Sequence, residues 1–238
     1  LSSLGLYKST ITDFTTFCRK NRWDIEKIEE CDLNTPNAAK RKEKTALDTA
    51  EIKLLLSEAF DDIWYINLFR FLLFTGFRKN EAAALLWEDI DLGNEILTVK
   101  RGLNSADQIT EGKTENVKRD VALTKYAISI LQQQRDKLKR ANIISPWVFP
   151  NQRGGMIKYF EMSSTWDKEI KTRGISHTPH ELRHTFISYA DANLPLALLK
   201  KSVGHSASMD TQKQYSHTTD KDLSAIRAGL EKAFEQIL

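Results

Sequence analysis

The chain has 238 residues, 41% hydrophobic and 28% charged, with a formal net charge of +3. This exceeds one typical domain of roughly 100–200 residues and falls short of two large ones, and the apolar share excludes a disordered chain. No run reaches the ~18 uncharged residues of a membrane span and no signal-peptide pattern opens the chain, so no membrane partner is expected. The first residue is Leu1 rather than Met, which reads as a piece of a longer protein. Cys18 and Cys31 lack C-x-x-C spacing, which suits reduced thiols in a cytoplasmic compartment.

Residues 1–44 read as one unit. Ile11, Phe14 and Phe17/Cys18 recur at helical spacing within 4–30, the tail of a helical module. Asn34–Lys44 is a polar linker with Pro36 and the basic cluster Lys40, Arg41, Lys42 and Lys44. A second unit, 45–238, opens with Asp48 and Glu51 at capping-box spacing before Ile52, Leu55, Leu56 and Phe60. Ile63–Phe74 predicts a strongly apolar helix broken at Thr75-Gly76, and Lys79–Leu86 resumes it. Then the period changes to two. Residues 95–100 and 119–123 alternate as strands around a polar hairpin region at 102–118. Helix returns from Thr124 to Arg140, Trp147–Phe149 reads as a strand, and helices fill most of 160–238. Leu223, Ile226, Leu230, Phe234 and Ile237 stripe a terminal helix from about 221. That stripe could dock on its own domain or on a neighbouring protomer. The expected fold is mainly α with a small antiparallel sheet (α+β).

Charge is unevenly spread. Residues 45–99 carry 4 basic and 10 acidic side chains, whereas 100–140 carry 10 basic and 5 acidic. A polyanion could lie along the second stretch, or both could be ordinary solvated faces.

All five histidines fall between 177 and 217. His180 and His184 have the i, i+4 spacing of metal ligands. However, Arg183 shares the His180 face, where a guanidinium would repel a cation, and no Cys pair or carboxylate set completes a shell. No metal and no cofactor are expected. Thr178-Pro179-His180-Glu181 is a helix start with Thr as N-cap, Pro at N1 and Glu at N3. It places His180 where free N–H groups favour an anion, and Arg183 one turn in, with a fork that suits two phosphate oxygens. A plain surface cap with an Arg183–acid pair explains the segment equally well. Gly204 stops the next helix at Val203, with His205 just beyond and Tyr215 ten residues further on. Earlier, Thr75-Gly-Phe-Arg78-Lys-Asn-Glu81 sets Arg78 at a helix break.

Thr-Gly-x-Arg-x-x-Glu, then His-x-x-Arg-His, then Gly-His, then Tyr, in that order, resembles the tyrosine recombinases, or phage integrase family. The likeness covers about 45–238 as the catalytic domain and extends weakly to 1–44 as the end of a core-binding domain. It implies that Arg78 and Arg183 grip a scissile phosphate. It makes His180 the proton relay for the nucleophile, His205 a further phosphate donor and Tyr215 the nucleophile of a 3′-phosphotyrosyl link. Lys113 becomes the hairpin general acid, with Lys118 as fallback, and Glu81 a structural acid. His177 and His184 would be structural neighbours and His217 peripheral.

The likeness also implies double-stranded DNA with specific recombination sites and a homotetramer working through a Holliday junction. Accessory DNA-bending or directionality proteins would join it, on the nucleoid of a bacterial cytoplasm. A type IB topoisomerase-like relaxer, a catalytically silent DNA-binding regulator and a metal-dependent hydrolase are the competing readings.

Overall fold

The computed structural model describes residues 13, 14, 16–18, 20, 45–111, 118–204 and 218–238. The chain divides into two compact units, 1–43 and 44–238. In the first, the described residues are helical. Cys18 is buried, while Phe14 and Phe17 are exposed, so the apolar spacing does not translate into a fully covered stripe.

In the second unit the expected order of elements holds, with instructive departures. Helix α1 (Thr49–Leu56) is closed by a complete capping box: Glu51 N donates to Asp48 Oδ1 (2.8 Å) and Asp48 N to Glu51 Oε2 (3.2 Å). Helix α2 (Ile66–Thr75) is buried along its whole length and is the axis of the domain. Its Arg70 lies inside, where its fork donates to the carbonyls of Leu55 and Ser57 and to Asp61, so burial of the charge is matched by acceptors. Around α2 pack α4 (Lys125–Arg140) and α6 (Pro179–Asp191).

Helix α3 (Lys79–Ala83) stops short of the expected Leu86. Tertiary pairing overrides propensity there: Val148 N donates to Leu85 O, Trp87 N to Pro146 O, and Leu86 bridges Trp147. For the same reason Trp147–Phe149 makes a single bridge rather than a strand. The Val148 carbonyl is satisfied by the buried Gln134 amide of α4 (2.9 Å), a side chain standing in for a strand partner.

The sheet is antiparallel, in the order β1 (Ile90–Asp91), β2 (Ile96–Val99), β5 (Arg119–Ala122), and a separate two-stranded hairpin joins β3 (Arg101–Leu103) to β4 (Ile109–Glu111). The polar hairpin region therefore contains its own strands. Val99 faces Arg119 whereas Arg101 faces Glu111, so two residues of advance on one strand meet eight on the other. The hairpin turn is pinned from outside by Tyr159 N, the first residue of helix α5 (Tyr159–Thr165), which donates to Asp107 Oδ1 (2.7 Å). A π-helical turn (Trp166–Ile170) and a 3₁₀ turn (Lys171–Arg173) follow α5, and helix α7 (Leu196–Val203) follows α6.

The terminal helix α8 (Asp220–Glu235) docks on its own domain. Leu223, Ile226, Leu230 and Phe234 are buried, and Phe234 packs edge-on against Phe74 at 4.9 Å between ring centroids. Arg227 clamps its outer side to the sheet through Glu95 and the carbonyls of Asn94, Glu95 and Leu123. Among the described residues, no helix is long and apolar enough to cross a membrane.

Candidate active site

Two helix stops build the floor of the site. Gly76 ends α2 and Gly204 ends α7, each in the left-handed conformation at φ +63°. At Gly76 a Cβ would lie 2.3 Å from the Phe186 ring, so both backbone angle and space demand glycine. Helix C-termini present unpaired carbonyls and the negative end of the dipole. Arg183, projecting inward from α6, takes both stops at once: Nη1 donates to Gly76 O (2.5 Å) and Nη2 to Val203 O (2.7 Å). One guanidinium therefore bridges chain positions 107 and 20 residues away from it. Arg183 is only 5% exposed. Burial, then the positive charges of Arg78 and Arg119, outweigh the help of Glu81 and pull its pKa down to about 10.

Arg78 reaches the same place from the other side. It is the N-cap residue of α3, just after the Gly76 break. Its Nη1 donates to Glu81 Oε1 (2.8 Å) and its Nη2 makes a longer contact to Gly204 O (3.4 Å), while the side chain stays 48% exposed. Glu81 is buried beneath it. Burial raises the Glu81 pKa, but the hydrogen bonds and charge of Arg119, then those of Arg78, prevail and hold it at about 2.

Arg119, in the sequence only the first residue of a strand, is central in the structure. Its two Nη atoms grip both Glu81 oxygens (3.1 and 2.8 Å), its guanidinium lies over the Phe77 ring, and it packs against Gly204. The signal available was its place directly after the hairpin, in Arg119-Asp-Val-Ala-Leu. The pairing itself joins residues 38 apart and has no local signature.

Among the described residues, three guanidinium groups and one carboxylate thus cluster here with two net positive charges, an arrangement that suits an anion. His180 sits exposed in the first turn of α6, its ring edge-on to His184 at 4.9 Å. That turn is anchored as the sequence predicts: Glu181 Oε2 accepts from both the backbone N (2.7 Å) and the hydroxyl (2.8 Å) of Thr178. His177 is held elsewhere, with Nδ1 at 2.9 Å from Glu51 Oε1 and Nε2 at 3.0 Å from Thr45 Oγ1, consistent with a structural neighbour. Lys118 is exposed just before β5. Lys113, His205, Tyr215 and His217 lie outside the described residues.

Comparison with known proteins places the chain in a family. The model of the Phage integrase family matches residues 45–222. Prophage integrase IntR of Escherichia coli is 26% identical over 177 residues, covering 65% of this chain and 43% of that protein. The transposase from transposon Tn916 of Enterococcus faecalis is 26% identical over 240 residues, covering 92% and 57%. The chain spans about half the length of the curated relatives it matches. Among solved structures, the Tn1549 transposon integrase in complex with a circular intermediate DNA has a TM-score of 0.65 at 22% identity, covering 94% of this chain and 77% of that one. A lambda integrase tetramer bound to a Holliday junction gives 0.60 at 16%, covering 87% and 60%. At those identities the structural likeness is one of fold. The match across most of the chain makes it a member of the phage integrase family, with the fold of a tyrosine recombinase catalytic domain.

Proposed function

We propose that this chain is the catalytic part of a site-specific DNA recombinase of a mobile genetic element. Within it, residues 45–238 act as the catalytic domain and 1–44 as the end of a core-binding domain with its basic linker. The observation that carries the reading is the convergence of Arg78 and Arg183 on the Gly76 and Gly204 stops, with more positive than negative charge around them. A phosphodiester under attack gathers negative charge on its non-bridging oxygens, and fixed cationic donors there lower the barrier, typically by ~3–4 kcal/mol per donor in comparable oxyanion sites. Arginine supplies that charge permanently.

Tyr215 is the proposed nucleophile. Its phenol has an ordinary pKa near ~10, so ionising it at pH 7 costs roughly 4 kcal/mol. His180 accepts or relays its proton, and the nearby guanidinium charge lowers the remaining cost. The phenolate oxygen bonds to phosphorus and the 5′-oxygen leaves, taking its proton from Lys113, or from Lys118 if the hairpin presents that residue instead. His205 adds a further hydrogen bond to the phosphate. Energy of the broken ester is kept in the 3′-phosphotyrosyl bond, so a 5′-hydroxyl can reverse the step without a high-energy cofactor. Two rounds of single-strand exchange, by four protomers on two duplexes, pass through a Holliday junction. The likeness to the DNA-bound Tn1549 transposon integrase and to the lambda integrase tetramer on a Holliday junction supports DNA as the partner. Accessory DNA-bending or directionality proteins, and action on the nucleoid in a bacterial cytoplasm, belong to the same proposal.

Incubating the chain with nicked duplexes carrying the ends of its element tests this. A covalent protein–DNA adduct is expected with the wild-type chain and none with Tyr215→Phe, while binding of the duplex persists. An adduct surviving in Tyr215→Phe removes that residue from its role.

A further inference from the structure

Glu81 poses a problem for the site just described. It lies one turn after Arg78 on the same short helix, buried, and held ionised far below the usual carboxylate range. A buried carboxylate alone with one arginine closes on it as a bidentate pair, because each oxygen seeks a donor in a medium where unpaired charge is costly. Arg78 would then spend its charge internally and have little to offer a phosphate.

The structure shows what prevents this. Arg119 supplies a donor to each Glu81 oxygen, Nη1 to Oε1 and Nη2 to Oε2, and Arg78 N takes a further place on Oε2. Arg78 is left with one contact, from Nη1 to Oε1, and its second Nη makes only the 3.4 Å contact to the Gly204 carbonyl. Exposure follows the same division: Arg119 is 8% exposed and Arg78 is 48% exposed. Gly204 makes room for this pose, since a Cβ there would stand 3.0 Å from the Cδ, Nε and Nη1 of Arg119.

We infer that Arg119 is a positioning residue which neutralises Glu81, so that the Arg78 guanidinium stays open to an anionic oxygen. Arg119 acts through Glu81 and need not touch the substrate. The inference rests on the proposed phosphate-binding role of Arg78, but its central claim, that Arg119 governs how free Arg78 is, can be read without any recombination.

The test is arginine labelling of the full chain with phenylglyoxal, followed residue by residue by mass spectrometry. Folding of each variant is checked by thermal denaturation. In Arg119→Gln, Arg78 closes onto Glu81, and its labelling rate should fall at least fivefold against wild type. In Arg119→Gln/Glu81→Gln the trap is gone along with its partner, and labelling should return to within twofold of wild type. A role in general folding alone predicts the opposite order, with the double variant no less perturbed than the single. Arg78 labelling in folded Arg119→Gln within twofold of wild type overturns the inference, as does a double variant that fails to recover. If Arg119→Gln does not fold, the double variant decides, since it removes both buried charges together: Arg78 labelling more than fivefold below wild type then overturns the inference, and labelling within twofold supports it. Adduct formation with nicked element-end duplexes, run on the same variants, should follow the same loss and recovery. Labelling that behaves as expected while wild type forms no adduct would fault the recombinase reading and leave the Arg119 assignment standing.

Discussion

The packing of α8 on α2 and the arginine pocket beside it are neighbouring regions built on opposite principles. In the first, Phe74, Phe186 and Phe234 bury rings against one another, and every contact favours the folded state. In the second, three guanidinium groups crowd around one carboxylate, and Arg183 is buried at a cost visible in its lowered pKa. The first region holds the domain together; the second is held together by it. Gly76 is the hinge between them, because its carbonyl receives Arg183 while its missing Cβ makes room for Phe186. The same turn is thus required by the core on one side and by the pocket on the other.

The largest effect should come from the core. Phe234→Ala removes a fully buried ring that meets Phe74, Tyr126 and Phe186, and the expected loss is about 3–5 kcal/mol of unfolding free energy in urea titration. Arg183→Met should reverse the pattern. It leaves the Gly76 and Val203 carbonyls without their donor but also relieves a buried positive charge beside two others. Stranding buried acceptors costs about 1–3 kcal/mol and relief of the crowded charge offsets part of it, so stability should fall by less than about 2 kcal/mol. Formation of the DNA adduct should drop at least a hundredfold, in line with loss of a fixed donor. Equal losses of stability in the two variants would erase the division between the regions.

Acid offers a finer cut. Glu81 has its folded pKa depressed, from 4.5 to about 2, so the stability it contributes is fully present above about pH 4.5 and is lost as pH falls toward 2. At about 1.4 kcal/mol per unit this amounts to about 3 kcal/mol. Glu81→Gln should flatten that part of the curve of unfolding free energy against pH, whereas Phe234→Ala should lower the curve without changing its slope there.

What could be read from the sequence follows the range of the interactions. Caps and helix stops are local: Asp48 with Glu51, Thr178 with Glu181 and the glycine stops at 76 and 204 all announce themselves within four residues. Arg78 is legible from the Gly76 stop and Arg183 from the helix start at Thr178, whereas the contacts of Arg183 with both glycine turns are not. Other features depend on partners far along the chain. The end of α3 is set by residues 146–148, and the missing strand at 147–149 by the Gln134 amide. Arg119 draws its role from Glu81, and the docking of α8 on its own domain from Phe74 and Phe186. An amphipathic stripe says that a face will be covered and cannot say by what.

The smallest effect tests whether a local feature stays local. Asp48→Ala breaks half of the α1 capping box, at an expected cost of about 1 kcal/mol. Glu51 does two things in the structure: Oε2 caps the helix and Oε1 holds His177 Nδ1, just before α6 begins. Asp48→Ala leaves that second contact in place, so the start of α6, and with it His180 and Arg183, should keep its position. Unfolding free energy should therefore fall while the rate of adduct formation stays within twofold of wild type. A larger fall in rate would mean that the α1 cap is coupled to the pocket through Glu51 and His177, and that the boundary between framework and site runs further from the arginines than their direct contacts indicate.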